Sequence, residues 1–212
     1  LKKAVKLLKV ARRPIILAGG GIKIAGAEKL LEQLVNTTHV PVVTTVMGKG
    51  AIDSNNPYYV GNSGLHGRYA ANIAVSKCDV LFSIGTRFND RITGDLNEFA
   101  PKAKIIHVDI DESEINKVKN SSISMNCPID SFLKSIIGYI DENPRTNWIQ
   151  RINCFKNKYP LPSYDDPMHP ANIISFVAEK IPDDSIIVTD VGQHQMWTAQ
   201  RYPFKHPKTL LT

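Results

Sequence analysis

The stretch Cys78–Gly94, CDVLFSIGTRFNDRITG, opens with the run Val80-Leu81-Phe82-Ser83-Ile84 and turns polar after Gly85. A run of that length and composition predicts a strand buried on both faces. The polar part packs Thr86, Arg87, Asn89, Asp90 and Arg91 close together. In an open parallel sheet, ligands sit outside the carboxyl ends of the strands. Two arginines and an aspartate there suit an anionic, hydroxyl-bearing ligand. On these residues alone, a solvated loop with an ordinary Arg–Asp pair fits equally well.

Outward from this stretch, strands and helices alternate. A short helix through Ala11 leads to the run Ile15–Ala18, then Gly19-Gly20-Gly21, then a helical pattern at Ala27, Leu30, Leu31, Leu34 and Val35. Strand, glycines and helix together are the usual setting for close backbone approach to a nucleotide. The GxGxxG fingerprint is absent, since Ile24 stands at its third glycine, and Val42-Val43-Thr44-Thr45 offers no acidic residue for a ribose. A plain NAD dehydrogenase is therefore disfavoured. A loop with Pro57, Tyr58 and Tyr59 follows, the tyrosines reading as packing, and Gly64-Leu65-His66-Gly67 then opens a helix from about Arg68 to Lys77. Glycines around one histidine suit either a backbone that approaches a planar ring or a helix-opening turn with a capping histidine.

Further strands are expected at Lys104–Val108, where His107 reads as a core histidine, and near Ile123. Short helices are expected from Glu112 and around Phe132–Ile140. Asp109 and Asp111 close the fourth strand, where acidic groups can accept hydrogen bonds from ribose or ribityl hydroxyls. The fold class is thus α/β, a parallel sheet flanked by helices on both faces. From Asn143 to Pro170 a helix and the Pro-rich YPLPSYDDPMHP read as a surface linker. Beyond it lie a helix, a strand at Ile186–Asp190, and Val191-Gly192-Gln193-His194 starting another helix, whose N-terminal amides suit a phosphate.

The 212 residues carry a formal charge of +6, with basic residues scattered and no aromatic-interleaved stripe, which argues against nucleic acid. Cys78, Cys127 and Cys154 are odd in number and far apart, so neither a disulfide framework nor a zinc site is indicated. Reduced thiols, no membrane span and no signal peptide point to a cytoplasmic protein. Both ends read as cut, with Leu1 already in a helical pattern and Thr209–Thr212 like the start of a strand.

The segments RPIILAGGG, VVTTVMGKGAID, GLHGRYAAN, IGTRFNDRITG, IIHVDIDESEINK and TDVGQHQMW, in that order, resemble the acetolactate synthase (acetohydroxyacid synthase) family of thiamine-diphosphate enzymes. The resemblance covers nearly the whole chain. It implies that residues 1–146 are a Rossmann-like central FAD domain, 147–168 a linker, and 169–212 an incomplete second α/β domain, the beginning of the thiamine-diphosphate domain. It implies an enzyme that decarboxylates pyruvate on thiamine diphosphate. The hydroxyethyl group then condenses with a second 2-oxo acid, pyruvate or 2-oxobutyrate, in branched-chain amino-acid biosynthesis. FAD in this family does no net redox and holds the site in shape. The ligands of Mg2+ and the activating glutamate would lie outside this stretch, leaving it inactive alone. A homodimer or tetramer, with a small regulatory subunit, is implied as the assembly.

By matched position, Gly20 and Gly21 would approach the flavin nucleotide, with Thr45, Val46 and Met47 along its path. Leu65, His66, Gly67, Gly85, Thr86 and Arg87 would add contacts, and Asp109 and Ile110 would hold the adenosine end. Arg91 would receive the carboxylate of the second oxo acid, oriented by Asp90. Val191, Gly192, Gln193 and His194 would contact the thiamine diphosphate phosphates. Three positions depart from the pattern: Leu65 for the usual methionine, Asn89 for aspartate, and Cys127-Pro128 for Gly-Asp. The last removes a carboxylate that helps bind FAD and an N–H, which implies a weaker FAD site or a different nucleotide. Another thiamine carboligase or decarboxylase, or a nucleotide-binding module without catalysis, are the alternative readings.

Overall fold

A computed structural model describes all residues, 1–212. In chain order the elements are α1 (Lys2–Val10), β1 (Pro14–Ala18), α2 (Gly20–Ile24), α3 (Glu28–Thr38), β2 (Val42–Thr44), β3 (Tyr59–Asn62), α4 (Tyr69–Lys77), β4 (Val80–Ile84), α5 (Asp90–Thr93) and β5 (Lys104–Asp109). There follow a 3-10 turn at Glu112–Glu114, β6 (Ile123–Asn126), α6 (Ile129–Ile137), α7 (Thr146–Lys158), α8 (Pro170–Lys180), β7 (Ile187–Val188), α9 (Gln193–Arg201) and β8 (Leu210–Leu211).

Six strands form one parallel sheet in the order β3-β2-β1-β4-β5-β6. Chain order reverses between β1 and β4, and a doubly wound sheet binds ligands at such a reversal. The apolar runs are explained by burial on both faces. Ile16, Ala18, Phe82 and Ile84 point into one core with α1, α3 and α6 residues such as Leu8, Leu34 and Phe132. Their neighbours Ile15, Leu17 and Leu81 point into the other, with Ala71 and Ala74 of α4 and Trp148 and Ile152 of α7. Alternation at period two thus distributes a continuous hydrophobic strand between two helical layers.

Two expectations are corrected. The loop with two tyrosines contains β3, an edge strand whose Tyr59 hydroxyl lies 3.2 Å from Thr44 Oγ1. The helix expected within the surface linker is α7, and it is docked on the sheet instead of lying free, with Trp148 Nε1 donating to the Pro14 carbonyl at 3.1 Å. The composition of 143–158 is polar because only one side of α7 is buried. The strand expected at Ile186–Asp190 is shortened to Ile187–Val188.

Residues after α7 build a two-stranded parallel sheet, β7-β8, over a small core of Tyr202, Phe204 and Leu210. This unit leans on the β2–β3 edge. The Ser54 N–H donates to the Phe204 carbonyl at 3.3 Å, and the Lys49 ammonium lies 5.6 Å from the centre of the Phe204 ring. No helix is long and apolar enough to cross a membrane.

Candidate functional site

The loops after β1 and β4 meet at the reversal point through backbone alone. Gly19 N–H donates to the Ile84 carbonyl (2.9 Å) and Gly21 N–H to the Gly85 carbonyl (3.1 Å). A Cβ on Gly19 would lie 1.9 Å from the Gly85 oxygen, and one on Gly21 2.8 Å from the Gly85 Cα. Gly85 itself has φ 58°, a left-handed conformation that favours glycine. Gly19, Gly21 and Gly85 therefore let two loops close on each other. Gly20 differs: its N–H is one of the unpaired donors of the first turn of α2, and the nearest atom to its missing Cβ is Met47 Cβ at 3.1 Å.

The other residues predicted on the six-stranded unit stand on loops at this same carboxyl edge of the sheet. After β2, Thr45 N–H donates to the Ala18 carbonyl (3.0 Å), its hydroxyl accepts from Gly48 N–H (2.9 Å), and Val46 is half-buried beside them. Met47 is 53% exposed, Leu65 after β3 73% and Ile110 after β5 67%. Three large apolar side chains in water along one sheet edge suit a planar, partly apolar ligand. Asp109 ends β5 nearly buried, and its Oδ1 accepts from Asp111 N–H at 3.0 Å.

The Gly64–Gly67 loop is held by a residue that the sequence reading left unassigned. Asn72 of α4 accepts from Gly64 N–H (2.9 Å) and the Ser63 hydroxyl (2.9 Å), and donates to the Gly64 carbonyl (2.9 Å). Leu65 N–H then donates to the Arg91 carbonyl at 2.7 Å, joining the His66 loop to α5. His66 is exposed, its carbonyl accepting from Asn62 Nδ2 (3.2 Å) and Gln200 Nε2 (3.0 Å). Gly67 closes the turn, since a Cβ there would lie 2.7 Å from the Asn62 carbonyl oxygen. Only the final position of GLHGRYAAN marked Asn72, and a helical asparagine ordinarily reads as surface.

Not every predicted residue faces ligand space with its side chain. Thr86 is buried, and its hydroxyl donates to the carbonyls of Leu17 (3.3 Å) and Ile84 (3.2 Å), so it braces the loop from within. Arg87 is exposed, with Nε 4.0 Å from Glu114. Asp90, expected to orient the Arg91 guanidinium, instead accepts from the Arg91 backbone N–H at 2.9 Å, as an acidic residue in a first helical turn does. Asn89 caps α5 by accepting from Ile92 N–H (3.1 Å), a task asparagine performs as well as aspartate. Pro128 is the N-cap of α6, at the end of β6, where a proline lacks only an N–H that the helix does not use.

The Val191–His194 segment lies at the carboxyl end of β7. Gly192 caps α9, leaving Gln193 and His194 in its first turn, while Val191 N–H donates to Asp190 Oδ1 (2.7 Å). Gln200, at the far end of α9, meets the His66 carbonyl. Seven residues at 1.5 Å per residue put the start of α9 on the order of 10 Å along the helix from that contact. No cluster of three or more His, Cys, Asp or Glu side chains is arranged to hold a metal ion.

Comparison with known proteins gives a match of residues 1–136 to the family described as thiamine pyrophosphate enzyme, central domain. Among curated relatives, the probable acetolactate synthase large subunit of Methanococcus aeolicus is 42% identical over all of this chain and 39% of its own length. That of Methanocaldococcus jannaschii is 40% identical over all of this chain and 38% of its own. The acetolactate synthase isozyme 1 large subunit of Escherichia coli is 36% identical over all of this chain and 38% of its own. The chain thus spans less than two-fifths of the length of these relatives.

Proposed function

The chain belongs to the thiamine pyrophosphate enzymes, its residues 1–136 matching their central domain, and from that premise we propose that it is the central part of an acetolactate synthase large subunit. The observation that carries the reading is where the sheet places its loops. The residues matched to FAD contacts stand on the loops at the carboxyl edge of a 3-2-1-4-5-6 parallel sheet, around its reversal point.

In this reading residues 1–146 bind FAD. Gly20 offers a backbone donor with no side chain in the way, and Met47, Leu65 and Ile110 provide apolar faces. Asp109 holds an acceptor near the adenosine end, since Oδ1 alone is engaged, by Asp111. Glycine at 20 fits such a ligand because a side chain would project at Met47. Residues 169–212 begin the domain for thiamine diphosphate, with the first-turn amides of α9, including those of Gln193 and His194, placed for its phosphates. When bound, thiamine diphosphate supplies the electron sink for decarboxylation and carbon–carbon bond formation. The part of Arg91 is to bind the carboxylate of the second 2-oxo acid, pyruvate or 2-oxobutyrate, through a planar two-donor face. Its backbone is fixed by Asp90 at one end and Leu65 at the other. Mg2+ takes its ligands from other parts of the full protein. The relatives are named large subunits, which supports a smaller partner subunit, and the reading takes that partner as regulatory and the catalytic chain as a homo-oligomer.

The test is a titration of the full-length protein with FAD, followed by flavin fluorescence with ADP as competitor, together with an assay of acetolactate formation from pyruvate. Saturable FAD binding weakened by Arg87→Ala, and condensation impaired by Arg91→Ala with a raised KM for the second oxo acid, are the expected results. ADP binding without FAD binding would overturn the flavin assignment and point to Cys127-Pro128 as its cause. FAD binding without condensation would overturn the enzymatic one.

A further inference from the structure

We propose that His107 is a positioning residue, holding the Thr86 carbonyl in the core and thereby turning the Arg87 N–H out into the crevice as a fixed donor for the bound ligand. His107 is fully buried on β5, and its Nε2 lies 3.1 Å from the Thr86 oxygen. Its ring packs against Phe88, two residues further along the same loop, with centroids 4.8 Å apart. The Thr86–Arg87 peptide is trans, so its N–H points opposite to its C=O. With the carbonyl directed at a buried ring, the Arg87 N–H faces outward, and it makes no hydrogen bond within the protein. The Thr86 hydroxyl is engaged with Leu17 and Ile84, so the peptide is clamped on both its side chain and its carbonyl.

The clamp requires the tautomer with hydrogen on Nε2, because only that nitrogen can donate to Thr86. It leaves Nδ1 as an acceptor, buried and without a partner. Ser83 stands opposite His107 in the β4–β5 register, and its hydroxyl is likewise buried without a partner. The two atoms make no direct hydrogen bond, so a single water accepting from the Ser83 hydroxyl and donating to Nδ1 would fix the tautomer.

The ligand half of this inference rests on the crevice being a nucleotide site, and the tautomer half does not. In full-length protein carrying 15N-histidine, the His107 ring, assigned by its loss in His107→Gln, is expected to show a protonated Nε2 and a pyridine-type Nδ1. The Nδ1 resonance should move in Ser83→Ala. A proton on Nδ1 in the unsubstituted protein would overturn the proposal whether or not any ligand binds. For the ligand half, His107→Leu is expected to weaken FAD binding about tenfold, the loss of one oriented donor. His107→Gln, which keeps an N–H donor, should recover most of it. Equal FAD affinities for the histidine and leucine proteins would refute the positioning role. Failure of the unsubstituted protein to bind FAD or ADP would refute the crevice reading instead. Should His107→Leu not fold, glutamine against histidine supplies the comparison, and the ring spectrum still decides the tautomer.

Discussion

Replacing Arg145 should reveal how the two ends of the central unit are tied together. Its guanidinium is buried, with no carboxylate in salt-bridge range. Nη2 donates to the Leu8 carbonyl (2.6 Å) and Nε to that of Ala11 (3.2 Å), both at the end of α1. Nη1 donates to Thr38 (2.9 Å), the last residue of α3, and to Asn143 (3.0 Å). One side chain therefore caps the carbonyl ends of two helices, where unpaired acceptors and the negative ends of both dipoles converge. Burial lowers its pKa, the charge of Asp79 acting in the opposite sense. Hydrogen bonds to a charged group contribute about 1.5–3 kcal/mol each, and the desolvation of the guanidinium takes back several kcal/mol. The expected net loss for Arg145→Ala is about 3–5 kcal/mol, or roughly 6–20 °C in Tm for a chain of this size. Arg145→Lys keeps the charge but not the planar fork, and should lose about 2 kcal/mol. Urea unfolding with an unchanged slope and a lowered midpoint is the assay. An alanine protein melting within 2 °C of the parent would refute the capping argument.

Gly19→Ala and Gly138→Ala make a contrasting pair. The first would drive a Cβ into the Gly85 carbonyl and should cost about 3 kcal/mol or more, whereas the second has no atom within 4 Å and a right-handed backbone, so thermal melts should show no loss. Acid should also act through His107. Desolvation lowers its pKa from 6.5, the Thr86 bond and the charges of Asp109 and Glu114 opposing without reversing the shift. A base with a depressed folded pKa contributes stability that is complete above the unfolded value and lost as pH falls below it. Unfolding midpoints between pH 7.5 and 5 should therefore drop more steeply for the parent than for His107→Gln. The cysteines should separate in a thiol-labelling time course at pH 8: exposed Cys154 reacts at once, while Cys78, its thiol pushed up to about 12 by burial, reacts only on unfolding.

Much of the architecture was legible along the chain because it is written locally. Val80–Ile84 is apolar at every position but one, which only a strand covered on both faces requires, and glycines between such runs and helical patterns marked the carboxyl edge. The ordered motifs then named the family and the loops that carry its residues. β3 escaped because Tyr59-Val-Gly-Asn62 is short, part-polar and at the sheet edge, so it lacks the signature of a buried strand. Helix α7 was legible, but its docking on the sheet was not, because a polar face dominates its composition although Trp148 and Ile152 anchor it.

What the sequence determined by itself was the fold class, the family and the set of loops, since each depends on residues near one another in the chain. Tertiary structure decided which atoms in those loops remain free for a ligand. Gly21 and Gly85 close one loop on another, Thr86 braces from within, and Gly20 and the Arg87 amide stay unengaged. It alone joined Arg145 to the ends of α1 and α3, and His107 to the Thr86 carbonyl. The reason is that a hydrogen bond depends on distance and direction in space, and its partners here stand tens to more than a hundred residues apart in sequence.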